Sequence, residues 1–491
     1  MERVTISVDV GSSGIRSSAF TESGALVRAA RCDYPTYYAP GGIAEQEPAQ
    51  WENALLCTLG RVAAELGQQY PVAAIAVTGQ CPTYVPVDRN LSPAGRALTY
   101  QDNRSEREAE DLKKSVGSEY IHAHSGHEIQ PFFILPKMLW QKKYCPELFE
   151  TVEIVLQPVD YLEYLLTGEV ATDASYACGT LAYRAETRSW NHELLARLGF
   201  KSNLFPERIV GAADVVGILR KKIAQITGLP EGTPVVRGGP DSQCCCYGVG
   251  ALKSDILSNM SGTSTCLNST AEAINADLRV GNYVHVVPGQ WCMEVGLNTT
   301  GVSLNKISKL LFANCSDAER YEKVERCAAD TAPGSHGLLF FPYLSNGERD
   351  NAAVKGGFYN LDMMHTEKDM IRAVMEGVAF AEKERAMLME GGKKKYTSMR
   401  ISGGGSKTLQ WNRIKASVME LPTYVLRGCD AAEAGTAAIA AVGAGIFSSL
   451  EEALGAYRLQ FDEYLPEPGQ AEAYREAFEA FLSVERKLER G

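Results

Sequence analysis

The chain has 491 residues, 45% apolar and 22% charged, and a net charge of −11. Its length exceeds what one hydrophobic core normally supports, so two domains are expected. The acidic balance argues against nucleic acid or an anionic membrane surface as a partner. It leaves room for a phosphorylated nucleotide, because backbone amides and a metal supply local positive charge. The first residues, MERVTISVDVGSSG, lack the basic-then-apolar pattern of a signal peptide, and no apolar run is long enough for a membrane span. The thirteen cysteines, scattered and odd in number, read as reduced thiols of a cytoplasmic protein.

In chain order, Val4 to Val10 is a β-branched run that closes on Asp9-Val10-Gly11-Ser12-Ser13-Gly14, and Ile15 to Phe20 resumes an apolar strand. A turn of this kind lets backbone N–H groups and two hydroxyls approach a phosphate, with Asp9 placed for a hydrated cation and Arg16 adding positive charge. It also reads as an ordinary Gly/Ser hairpin. Pro48 opens a helix with Trp51, Leu55, Leu59 and Val62 on one face, and Glu45 to Glu47 before it read as cleft groups or as a solvated cap. VAAIAVTGQ is a buried strand, with YVPVD expected to pair with it across a short turn, and ALTYQDNRS is a further strand end carrying Asp102 and Arg104. Polar residues at successive strand ends are the layout of an α/β cleft. His122, His124 and His127 do not share a helical face, so a metal there is not expected.

PVVRGGPDSQCCCYGVGA is the stretch around which the rest is organised. A strand ending in Gly238-Gly239 exposes Asp241 as a general base or metal-facing carboxylate, or else as a helix N-cap. Cys244 to Cys246 point in different directions around a helix and read as small buried hydrophobes. DILSNMSGTSTCLNST then repeats the strand, Gly/Ser/Thr turn, strand unit of the N-terminus, which suggests two domains of similar build, 1–246 and 247–491. RAVMEGVAFAEKERAMLME is an amphipathic helix. ISGGGSKTLQWNRIKASVMELPTYV reads as strand, triple glycine, helix and strand, and EAGTAAIAAVGAG as a helix that must pack closely. No GxGxxG, Walker A, GxSxG, HExxH or CxxC pattern occurs.

In order along the chain, VDVGSSGIR, EQEPAQW, VTGQ, YQDNR, KMLW, DYLEYLLTGE with TDAS, GGPD, SGTS, GERD, RAVMEGVAF and GGGSK resemble the FGGY carbohydrate kinases. The resemblance implies an α/β protein with two ribonuclease-H-like domains of the actin-like ATPase fold and a cleft between them. It implies MgATP as phosphoryl donor, a sugar or polyol as acceptor, and a homodimer as in many relatives. Asp241 matches the catalytic base and Asp9 the acid that holds Mg²⁺, with Asp241 facing the metal as well. Gly11, Ser12, Ser13 and Arg16 match the first phosphate loop, and Gly262 and Thr263 the second. Gly301 and Asn305 match the wall of the nucleotide site, and Gly403, Gly404, Gly405 and Thr408 the adenosine loop. Gln80, Cys81, Asp102, Arg104, Asp241 and Ser242 are the expected sugar contacts. After VTGQ this chain has Cys81-Pro82-Thr83 where xylulokinases usually have Met-His-Gly, and Phe132 stands where glycerol kinases carry a tyrosine. These departures count against glycerol and also remove the Met-His contact, so D-xylulose is only the leading substrate, with a deoxy sugar, an aldonate such as gluconate, or a polyol as alternatives. The fold also serves non-kinase ATPases, but EQEP, YQDNR, TDAS and GERD are peculiar to the sugar kinases.

Overall fold

A computed structural model describes residues 2–345, 354–391 and 396–488. GERD falls at 347–350, outside these. The chain divides into two compact units. The first comprises 1–250 together with 271–292 and 428–459, and the second comprises 251–270, 293–427 and 460–491. A single cut after residue 246 leaves the two shorter segments of the first unit in the other half.

In the first unit, β1 (Val4–Val10), β2 (Gly14–Thr21) and β3 (Leu26–Asp33) form an antiparallel meander. The helix α1 (Pro48–Leu66) crosses over to β4 (Val72–Gly79), which pairs parallel with β1. Next come β5 (Val215–Ile218) and β6 (Pro234–Pro240), and the sheet order is β5-β6-β4-β1-β2-β3. Val4, Ile6, Val8 and Val10 are fully buried, as are Ser7 and Thr5 between them, so β1 is covered on both faces. α1 covers one face through Trp51, Leu55, Leu59 and Val62. The helix Ala431–Gly443 covers the other, and Thr5 Oγ1 donates to its Ala437 carbonyl at 2.9 Å.

That last helix crosses α2 (Asp241–Gly248) where both are glycine. A Cβ on Gly248 would stand 1.9 Å from Ala431 O, and one on Gly435 would stand 2.2 Å from Cys244 O. Only glycine permits so close a crossing. It accounts for the run of small residues in both helices.

Val85–Val87 does not pair with β4. It pairs antiparallel with Ile154–Leu156, outside the main sheet. A short apolar run states that it is buried but not against what, and here the longer-range partner prevails.

The second unit repeats the plan. Its strands β7 (Ile256–Ser261), β8 (Thr265–Ala271) and β9 (Trp291–Leu297) precede β10 (Ser398–Ser402), β11 (Thr423–Leu426) and β12 (Phe461–Tyr464). Their order is β9-β8-β7-β10-β11-β12. β7 pairs antiparallel with β8 and parallel with β10, β10 with β11 is parallel, and β12 closes the edge antiparallel. The helices α3 (Gly301–Leu311), α4 (Asp317–Asp330), α5 (Glu367–Glu390) and α6 (Leu409–Met419) supply the apolar cover.

Candidate active site

In the first unit, three strand ends converge because β1, β4 and β6 run parallel in adjacent positions. β6 carries a register break between Val236 and Gly239. Gly238 has φ 74°, and a Cβ there would stand 2.2 Å from Val77 O. This glycine bulge turns the chain into α2 and delivers Asp241 as its first residue. Asp241 Oδ1 accepts from Ser242 N at 2.7 Å, while Pro240, not Asp241, occupies the cap position.

Asp9, at the end of β1, has a buried Oδ1 with no hydrogen-bond partner. Burial first, then the charges of Asp241, Asp430 and Glu433, hold its carboxyl well above the usual range; Arg16 works against them. A buried carboxyl with an unsatisfied oxygen that faces three other acidic groups fits a divalent cation. Hard oxygen donors of this kind suit Mg²⁺, which keeps several waters and takes one or two carboxylates.

The turn Gly11–Gly14 is tied down through its carbonyls. Gly11 O accepts from Tyr34 OH at 2.6 Å, and Ser12 O accepts from Thr36 Oγ1 at 2.7 Å and Gln46 Nε2 at 2.8 Å. Ser13 O accepts from Tyr34 N at 3.1 Å. With these acceptors spent, the turn presents chiefly N–H and O–H donors, which is what an anion requires. Ser13 Oγ accepts from Arg31, and Arg16 pairs with Glu433 at 3.0 Å.

Gln46 joins this turn to the next strand end. Its Oε1 accepts from Trp51 Nε1 at 3.1 Å and Gln80 Nε2 at 2.7 Å, while Gln80 Oε1 is buried without a partner. Glu45 pairs with Arg104 at 2.8 Å. Of the three polar residues before α1, Gln46 is therefore a buried strut and Glu45 an ion-pair partner. Asp102 is fully buried, and both its oxygens are taken by Arg104, with Ala44 N donating to Oδ2 at 2.8 Å. The Arg104 guanidinium lies over the Trp140 ring at 4.9 Å. Cys81 Sγ lies 3.5 Å from Gln157 Oε1, and Gln157 Nε2 donates to Tyr176 O at 2.6 Å. Lys137 is buried, donates to Thr99 O at 2.6 Å, and is pushed down to about 7 by desolvation.

In the second unit, the turn between β7 and β8 meets the N-terminus of α3. Thr300 N and Val302 N both donate to Thr263 O at 3.2 Å, and a Cβ on Gly301 would stand 2.2 Å from Gly262 O. The turn after β10 adds Gly403 at φ 91°, pressed on Ser261. Together they shape a cavity of about 570 Å³ lined by Gly262, Thr263, Gly301, Asn305, Gly404, Gly405 and Thr408. Gly403 is not among the lining residues. Asp317, Arg320 and Tyr321 from α4 and Trp411 from α6 complete the wall. The volume suits one mononucleotide-sized ligand.

Asp430, Glu433, Gln157 and Tyr176 were not singled out from the sequence, and Gln46 only among the residues before α1 that read as cleft groups or a cap. Asp430 and Glu433 lie some 420 residues from Asp9, and nothing local signals their proximity. Of the triple cysteine, Cys246 alone gathers with His285 and Cys292, their ligand atoms within 4.8 Å of one another. His285 Nδ1 already accepts from Val287 N at 2.9 Å, so the ring's lone pair is spent and the cluster falls short of a four-donor site. Burial pushes the Cys244 thiol up to about 12, consistent with an inert packing role. His127 lies between the Phe133 and Tyr283 rings, pushed down to about 3 by burial.

Profiles for the N- and C-terminal domains of the FGGY family of carbohydrate kinases match residues 4–248 and 257–444. A xylulose kinase from Staphylococcus xylosus is 27% identical over 486 residues, covering 98% of this chain and 99% of its own. A gluconokinase from Bacillus subtilis is 24% identical over 510 residues, covering 100% and 97%. The crystal structure of xylulose kinase from Rhodospirillum rubrum superposes with TM-score 0.90 at 25% identity, covering 99% of each chain.

Proposed function

Because the chain belongs to the FGGY family of carbohydrate kinases, we propose that it transfers the γ-phosphoryl group of MgATP to a hydroxyl of a ketopentose such as D-xylulose. The observation that carries the reading is the buried Asp9 carboxyl, one oxygen without a hydrogen bond, its titration raised by burial and then by the charge of Asp241, with Asp9 at the end of β1 and Asp241 just past β6, the two strands that flank β4. Asp241 takes the proton from the attacking hydroxyl. The N–H groups and hydroxyls of Ser12 and Ser13, with Arg16, orient the β- and γ-phosphates, while Gly11 N donates to Gly14 O at 3.0 Å and closes the turn that presents them. Asp9 and Asp241 would hold Mg²⁺, which supplies charge neutralisation at the transferring phosphoryl group. Gly262, Thr263, Gly301, Asn305, the 403–405 glycines and Thr408 bind the remainder of the nucleotide. Gln80, Cys81, Arg104 and Ser242 face the sugar, and Asp102, fully buried with both oxygens taken, acts only through the Arg104 guanidinium it orients. Phosphoryl transfer needs alignment and charge stabilisation more than covalent help, and these residues supply both.

The test is sugar-dependent ADP release with MgATP against ketopentoses, hexuloses, aldonates, deoxy sugars and polyols. D-xylulose should give the highest kcat/KM. Asp241→Asn should fall below a tenth of wild-type kcat while still binding nucleotide, since the base acts in the chemical step. Retained turnover would remove the base assignment. A second reading, a deoxy sugar or polyol, is favoured by Cys81, whose polar reach is spent on Gln157. Preference for D-xylulose would eliminate it.

A further inference from the structure

Asp9 and Arg16 are direct cross-strand partners in the β1/β2 register. Such neighbours point to one face with Cβ atoms close together, and an arginine opposite an aspartate ordinarily closes a charge-assisted pair. Here that pair does not form. Asp9 Oδ1 is buried without a hydrogen bond, and Arg16 Nη1 bonds instead to Glu433 Oε1 at 3.0 Å. Glu433 is itself anchored. It is 2% exposed, and Ser18 Oγ donates to its Oε2 at 2.5 Å. It sits in the first turn of the helix Ala431–Gly443, whose N-cap Asp430 accepts from Ala432 N at 2.9 Å. That helix is locked in place by the Gly435–Gly248 crossing.

We propose that Glu433 is a positioning residue that draws Arg16 away from Asp9, leaving the Asp9 carboxylate open to the divalent cation and the free edge of the guanidinium open to phosphate. The assignment rests on the reading of Arg16 and Asp9 given under the proposed function. A guanidinium carries five N–H donors in a rigid fork, so engaging one end on a buried carboxylate fixes the direction of the rest. Without Glu433, the cross-strand carboxylate of Asp9 is left open to Arg16 as a partner. The ion pair formed there would compete with the metal. Glu433 therefore acts on both partners of the phosphoryl donor, the cation and the triphosphate, without touching either.

Glu433→Gln tests this, since it keeps the shape and the Ser18 bond and removes the charge. Binding of the non-hydrolysable analogue AMPPNP is measured calorimetrically across a Mg²⁺ titration, so no sugar and no turnover are required. In Glu433→Gln, the Mg²⁺ concentration for half-maximal AMPPNP binding should rise about 5- to 10-fold, the size of a typical coupling between contacting groups. In the double variant Arg16→Ala with Glu433→Gln, it should return to within about twofold of wild type, because nothing is left to occupy Asp9. AMPPNP affinity in the double variant should stay as low as in Arg16→Ala alone. A merely structural role for Glu433 would not produce rescue by removing a second residue. Glu433→Asp, which keeps the charge but shortens its reach, should move in the same direction as Glu433→Gln and serves if the latter folds poorly. The proposal is overturned if Glu433→Gln leaves the Mg²⁺ requirement within twofold of wild type, or if the double variant shares its raised requirement. If Arg16→Ala alone binds AMPPNP as the wild type does, the phosphate role of Arg16 fails, and with it the premise.

Discussion

Replacing Arg237 with methionine should be among the most damaging single changes available in the first unit. Arg237 is fully buried on β6, four residues before Asp241, and bonds Asp160 and Glu163 at 2.6 Å and Asp173 at 2.7 Å. Glu163 is raised by burial from its ordinary 4.5 to about 8, so near neutrality it holds a proton, and Arg237 balances Asp160 and Asp173. Methionine fills much of the volume but leaves those carboxylates without a counter-charge. Removing one partner of a buried ion pair costs about 3–5 kcal/mol. The alternative, protonating an orphaned carboxylate, costs about 1.4 kcal/mol per pH unit above its ordinary value. The penalty therefore grows with pH, because in the variant the folded state binds more protons than the unfolded chain. Urea unfolding of both proteins at pH 5.5 and pH 8 measures it. We expect a deficit of about 3–5 kcal/mol at pH 8 and a clearly smaller one at pH 5.5. A loss under about 1 kcal/mol at pH 8, or one equal at both pH values, would refute the reasoning.

Glu163→Gln should flatten the stability profile: between about pH 4.5 and 8 the folded protein retains a proton that the unfolded chain has released, so wild-type stability falls as pH rises across that window, and the variant should lack this slope in urea midpoints. Asp9→Asn should raise the Mg²⁺ concentration needed for sugar-dependent ADP release about tenfold or more; an unchanged requirement would remove Asp9 as a metal holder. Gly301→Ala places a Cβ 2.2 Å from Gly262 O, and AMPPNP affinity should drop about tenfold by calorimetry, with undiminished affinity counting against the cavity as the nucleotide site.

Much of the site was legible because its chemistry is local. A β-branched run ending in Gly-Ser-Ser-Gly, a Gly-Gly bulge before an acid and a triple glycine between strand and helix each state a backbone geometry in consecutive residues. The structure builds them as β1–β2, as β6 into α2, and as β10 into α6. The cavity in the second unit gathers seven of the eight residues assigned there to the nucleotide. What local pattern could not supply was partnership. Gln46 reads as one of three polar residues before a helix, yet it is the strut between the Gly11–Gly14 turn and Gln80. Arg237 lies inside the strand Pro234–Pro240, and its acidic partners Asp160, Glu163 and Asp173 come from more than sixty residues earlier in the chain.

The sequence by itself determined the family, the doubled strand–turn–strand plan and the position of Asp241, because turn chemistry and hydrophobic periodicity act over a few residues. The tertiary structure alone decided that Val85–Val87 pairs with Ile154–Leu156. It also decided that residues 271–292 and 428–459 join the first unit, and that Glu433 takes Arg16 from Asp9. Those outcomes depend on which buried surfaces meet across hundreds of residues. A periodic pattern specifies that a face must be covered, and only the packed chain specifies what covers it.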